Sequence, residues 1–150
     1  MRQWAIALSA EDFATWVENQ QKPATAYAET DESPEAQGYR AFRQNCSRCH
    51  QVNGMQNADG TPTIAAPENN IVAGAVPNLT HLMTRYVFVG ALYELRNVDT
   101  KELNRTNLEG WIRNPEDFKP MAPEPTRGNL YGRGMPKLPL TEDQIDDLVA

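Results

Sequence analysis

The sequence predicts an all-α fold of short helices joined by long loops, preceded by an N-terminal extension. Three observations predict it. Ser33-Pro34 is a good helix start, followed by Ala36, Tyr39, Phe42, Cys46 and Cys49 at helical spacing. Two further helix-start pairs occur at Thr106/Glu109 and Thr141/Gln144. Between these segments lie stretches rich in proline, glycine and asparagine, from Gly54 to Pro77 and from Lys119 to Pro139. The chain has 150 residues, 40% of them apolar, which suits one domain with extensions.

Taken in order, residues 1–22 hold the alternating Trp4, Ile6 and Leu8, and then Ser9 with Asp12 opens an amphipathic run carrying Phe13, Trp16 and Val17. Residues 20–33 are polar and lack an apolar stripe, so 23–33 is expected to be a linker, with the main domain at 34–150. The spacing of Leu82, Tyr86, Val89, Leu92 and Leu95 predicts a helix from Thr80 to about Val98. Thr106 and Glu109 open a short helix that must end near Asn114-Pro115, and Thr141 starts a last helix with Ile145, Leu148 and Val149.

The net charge of −6 leaves no basic stripe to displace counterions, which excludes nucleic acid as the expected partner. An acidic surface is ordinary solvation, or else it steers a basic redox partner. The longest uncharged apolar run, Tyr86 to Tyr93, is far short of the roughly 20 residues needed to span a bilayer. The N-terminus has no apolar signal core, so the expectation is a chain that neither spans a membrane nor directs its own export.

Cys46-Ser47-Arg48-Cys49-His50 carries the chemistry. It is the C-x-x-C-H signal for covalent haem c attachment, with two thiols near one helix end to reach two vinyl groups and a histidine beside them for the iron. A thioredoxin-like pair would follow a strand and open a helix, whereas this motif closes one. A zinc site would have to use Cys46, Cys49, His50 and His81, every cysteine and histidine in the chain. His50 needs an acceptor on its other ring nitrogen; Pro77 offers a rigid carbonyl, though it would equally serve as loop punctuation. For the sixth ligand, Met135 is favoured among the five methionines because the last helix directly after it can hold its loop rigid. Met121 and His81 are the alternatives.

These residues resemble the class I cytochromes c, from about Gly38 to Ala150. Gly38 and Phe42 before C-x-x-C-H are similar to that family's first helix. Pro77-Asn78-Leu79 resembles the segment whose proline carbonyl takes the proximal histidine's hydrogen bond. Arg85 falls where the family has an arginine near a haem propionate. Leu108, Trp111, Asn114 and Pro115 resemble the helix on the methionine side, where Trp111 would approach the ligand. Met135-Pro136 and the run to Ala150 resemble the ligand loop and C-terminal helix. The family's short link from a Lys-Pro pair to the methionine is replaced here by a long interval between Lys119-Pro120 and Met135, which keeps Met121, directly after Pro120, in contention.

Residues 1–22 are similar to the tail of the copper-binding (CuA) domain in subunit II of haem–copper oxidases. In caa-type oxidases a cytochrome c domain follows such a tail. Met1 falls at a copper-ligand position or is simply an initiator, and the same residues would also serve as an amphipathic helix packed on the domain. The resemblance implies one covalent haem c bound through Cys46 and Cys49, with Pro77, Leu79, Arg85 and Trp111 around it and His50 and Met135 on the iron. It implies an electron carrier, not an enzyme in itself. Electrons would pass from a respiratory donor protein to the CuA centre, on the outer face of the cytoplasmic membrane, with the membrane reached only through upstream parts of the subunit. A free-standing cytochrome c, a haem sensor, or a zinc or thiol-redox module are the competing classes.

Overall fold

Helix starts in this chain are set by side chains that accept from otherwise unpaired N–H groups. Ser9 accepts from the Asp12 amide and opens α1, Ala10–Gln21; Ser33 accepts from the Ala36 amide and opens α2, Pro34–Asn45, with Pro34 in its first turn. Thr141 and Gln144 form a reciprocal capping box that opens α5, Glu142–Leu148. The computed structural model describes residues 5–47, 49–55, 76–120 and 134–150. Met1, Trp4, Arg48, Met121 and most of the two stretches expected as loops lie outside the described residues.

The segment after Thr80 corrects the expected helix. It forms a 3₁₀ turn, Leu82–Thr84, and then a two-stranded antiparallel hairpin of β1, Val87–Phe88, and β2, Tyr93–Glu94. The apolar spacing fits a helix, but Tyr86-Val87-Phe88-Val89 is a β-branched and aromatic run that suits a strand. The turn at Val89, Gly90 and Ala91 has φ of 52°, 69° and 65°, a conformation no helix permits. What holds it is tertiary: the Leu95 amide donates to Tyr86 O at 2.8 Å, and Phe88 and Leu95 enter the core.

A second correction concerns α3, Arg105–Arg113. Asn104, not Thr106, is its cap and accepts from the Asn107 amide, and Glu109 pairs with Arg105 at 2.9 Å instead of reaching back to Thr106. The helix ends at Asn114, and Pro115 opens the short α4, Pro115–Phe118.

The core lies where α3, α5 and the hairpin meet, built from Phe88, Leu95, Leu108 and Val149. Leu95 is completely buried. Leu95→Ala is therefore expected to cost about 2–5 kcal/mol, read as a lower denaturant midpoint of the holoprotein. The α2 and α5 helices pack against each other, with Gly38 at the crossing. At the edge of α5, Arg113 hydrogen-bonds Glu142 at 2.6 Å and holds that carboxyl below the usual carboxylate range. Its small stabilisation is present at neutral pH and lost as pH falls through that lowered value.

The 23–33 segment, expected as a linker, connects α1 to α2 while lying against the domain. Ala24 donates to Asn53 O at 2.8 Å, Tyr27 meets the Tyr39 ring at 5.7 Å, and Glu29 pairs with Arg43 at 2.9 Å. α1 itself buries none of its residues, and its Phe13 and Trp16 stack on each other at 5.8 Å while half-exposed. No helix among the described residues is long and apolar enough to cross a membrane.

Candidate functional site

α2 delivers its last turn into the cysteine motif. The helix-end carbonyls are satisfied locally: Phe42 O accepts from the Cys46 and Ser47 amides, and Arg43 O accepts from the Ser47 hydroxyl at 2.6 Å. Cys46 O then accepts from both the Cys49 amide at 3.0 Å and the His50 amide at 2.8 Å. This tight turn presents both thiols and the imidazole within one turn of chain. Both cysteines are free thiols and partly covered. Burial, with Cys49 beside it, pushes the Cys46 thiol up to about 11. A thiol-redox pair needs a nucleophile shifted the other way, so the local electrostatics disfavour that class.

His50 is oriented from the opposite limb of the chain. Its Nδ1 lies 3.0 Å from Pro77 O. A carbonyl only accepts, so Nδ1 must carry the proton, and the lone pair is left on Nε2, where a metal would bind. Pro77 is therefore a hydrogen-bond partner of His50. The two limbs are joined further along: Leu79 donates to Gln51 O at 2.8 Å, and Asn53 donates to Thr80 Oγ1 at 2.8 Å.

Among the described residues no three Cys, His, Asp or Glu side chains converge as metal ligands, and the His81 ring is turned to Gln20 O at 2.8 Å.

The sequence profile of the family described as Cytochrome c matches residues 35–150, most of the chain. The chain belongs to the cytochrome c family. The residues fit that family's covalent haem c, since two free thiols at a helix end adjoin an imidazole whose Nε2 is available. The chain is also similar to cytochrome c oxidase subunit 2 of Alkalihalophilus pseudofirmus, 28% identical over 150 residues. That similarity covers 97% of this chain and 32% of the relative, so the chain spans about a third of the relative's length. No solved structure matches it.

As a cytochrome c domain the chain is an electron carrier with one haem c. Of the residues proposed around the group, Cys46, Cys49, His50, Pro77 and Leu79 come together at the two limbs just described. Arg85 sits at the end of the second limb, exposed, with its Nη2 on Asn78 O at 2.6 Å. Trp111 packs against the core, edge-on to Phe88 at 6.3 Å and to Phe118 at 6.4 Å. Phe118 is pinned there by the Tyr93 hydroxyl, which donates to its carbonyl at 2.6 Å. Met135 lies half-buried between Gly134, whose φ is +147°, and Pro136, shortly before the capping box of α5.

Sequence reasoning missed Gln51, Asn53, Asn78 and Thr80, which tie the limbs together. One signal was present: Asn78 two residues before Thr80 is an Asx-turn pattern, and the Thr80 amide does bond Asn78 Oδ1 at 2.9 Å. Asn53 and Gln51 carry no such signal, because their partners lie far along the chain, 27 positions away for Asn53 and Thr80.

Proposed function

We propose that this domain relays electrons from a respiratory donor protein to the copper centre of a terminal cytochrome c oxidase, as the haem-bearing part of subunit II. The observation that carries this reading is the reach of the similarity. The family match begins at residue 35, yet the likeness to an oxidase subunit 2 covers 97% of the chain and so runs through the N-terminal extension. An ordinary cytochrome c would have no reason to share that segment.

When bound, the haem c supplies a one-electron carrier cycling between ferrous and ferric iron. The protein's part is to hold it. Cys46 and Cys49 would form the thioether links and His50 would ligate the iron through Nε2, with Pro77 fixing its tautomer. Met135 would be the second protein ligand, and an iron held by both side chains would have no place for substrate. Methionine with histidine raises the potential, which suits delivery to an oxidase. The domain works on the outer face of the cytoplasmic membrane, anchored by other parts of the subunit.

The test is a full-length oxidase whose subunit II lacks residues 34–150. Oxygen consumption driven by the natural donor should collapse, while a small reductant that reaches copper directly should still support it. Donor-driven rates equal to the parent's would sink the relay. A colourless isolated domain, or a pigment extracted by acid–organic solvent, would sink the covalent site itself.

A further inference from the structure

The haem-proximal loop has two limbs, residues 50–54 and 77–81, separated in sequence by a long interval. Their pairing is a ladder of hydrogen bonds: His50 to Pro77, Gln51 to Leu79, and Asn53 to Thr80. The N-terminal segment closes the far end of that ladder and touches both limbs. On one limb, the Ala24 amide donates to Asn53 O at 2.8 Å. On the other, the His81 ring meets Gln20 O at 2.8 Å through Nε2.

Each contact answers a physical need of its own. Gln20 O is one of the last carbonyls of α1, which no intrahelical N–H can reach. A carbonyl cannot donate, so His81 must carry its proton on Nε2, and the imidazole acts as the helix's C-terminal cap. The first limb is shaped to receive the segment: Gly54 has φ +86°, and a Cβ there would stand 2.4 Å from Pro23 Cβ and 3.2 Å from Ala24 N. Only glycine permits that approach. The body of α1 meanwhile stands off, leaving a cleft of about 460 Å³ lined in part by Ile6, Trp16, Arg85 and Tyr86. Hydrogen bonding from the extension to the loop is thus concentrated at residues 20–24, directly on the two limbs.

We propose that residues 20–24 and His81 form a clamp that holds the two limbs of the proximal loop in register and so positions the His50–Pro77 hydrogen bond. His81 is a positioning residue: it acts on the haem ligand through the limb it shares with Pro77. The extension, on this reading, is part of the haem site's scaffold. The consequence for the iron rests on His50 being the proximal ligand, as proposed above.

The holoprotein of residues 1–150 is the test object, with His81→Ala, His81→Gln and Gly54→Ala variants. Hydrogen exchange is followed by NMR at the Ala24 and Leu79 amides and at His50 Nδ1–H. His81→Ala and Gly54→Ala should speed exchange at all three sites by about tenfold or more, while the Ile145 amide in α5 keeps its rate. His81→Gln, whose amide can donate to the same carbonyl, should restore most of the protection. If Leu79 and His50 stay as protected in both variants as in the parent, whether or not Ala24 opens, the clamp is overturned. The ligand assignment fails separately: His50 ring resonances of the ferric parent that show no paramagnetic shift would sink it without touching the exchange result.

Discussion

Gly38→Ala should destabilise the holoprotein by about 2 kcal/mol, although the substitution improves helix propensity. Gly38 is buried at the crossing of α2 and α5, where an added Cβ would stand 2.0 Å from Asp147 O and 2.7 Å from Asp147 C. Both are backbone atoms, so no rotamer change relieves the overlap, and α5 itself must move. Overpacking of this kind costs about 1–3 kcal/mol, and a rigid obstacle places it at the upper end. Alanine recovers at most about 1 kcal/mol over glycine inside a helix. The clash therefore wins. α5 carries Ile145 and is followed by its C-cap Val149, each 1% exposed, so displacing it also opens the core beside Leu108. The check is a chemical denaturation curve for Gly38→Ala beside Gln44→Ala, an exposed position on the same helix. Gln44→Ala should be near neutral. A Gly38→Ala protein as stable as the parent would mean that α2 and α5 do not approach so closely.

The features readable from sequence were those whose cause is local. Ser9, Ser33 and Thr141 start helices because their own hydroxyls accept from amides a few residues on, and each does so here. The Pro77 carbonyl as the acceptor for His50 came only from the resemblance to the family, since a proline there reads equally as loop punctuation. The hairpin was not readable, because Leu82, Tyr86, Val89, Leu92 and Leu95 satisfy a helical period as well as any helix. What decides against it is the burial of Phe88 and Leu95 on a core supplied by α3 and α5. Asn104 displaced Thr106 as a cap for a similar reason: its amide also donates to Leu95 O at 2.8 Å, which sets where the helix must begin. The contact of Gln20 with His81 spans 61 positions, beyond any local pattern. Contacts of that range come from how the elements pack.

Met135→Ala should abolish the sulfur-to-iron charge-transfer band of the ferric protein and lower the midpoint potential by on the order of 0.1 V or more. The argument is one of reach. The ligand must come from the side of the haem away from His50, on a segment held rigidly enough to keep a weak thioether bond. Met55 is buried on the limb that continues from His50, and Met83 packs on the core near Phe88 and Leu95. Met135 differs from both. Pro136 restricts the backbone after it, the Leu140 amide bonds Leu138 O at 2.9 Å, and the capping box at Thr141 anchors the segment to α5. α5 in turn is fixed against α2, the helix that runs into the cysteine motif. One rigid path therefore runs from the cysteine motif to the segment of Met135, which is where a thioether ligand opposite His50 would be held in place. Met121→Ala and Met83→Ala serve as controls and should keep the band. If it survives Met135→Ala and disappears with Met121→Ala, the ligand belongs to the earlier part of the proline-rich loop, directly after Lys119-Pro120.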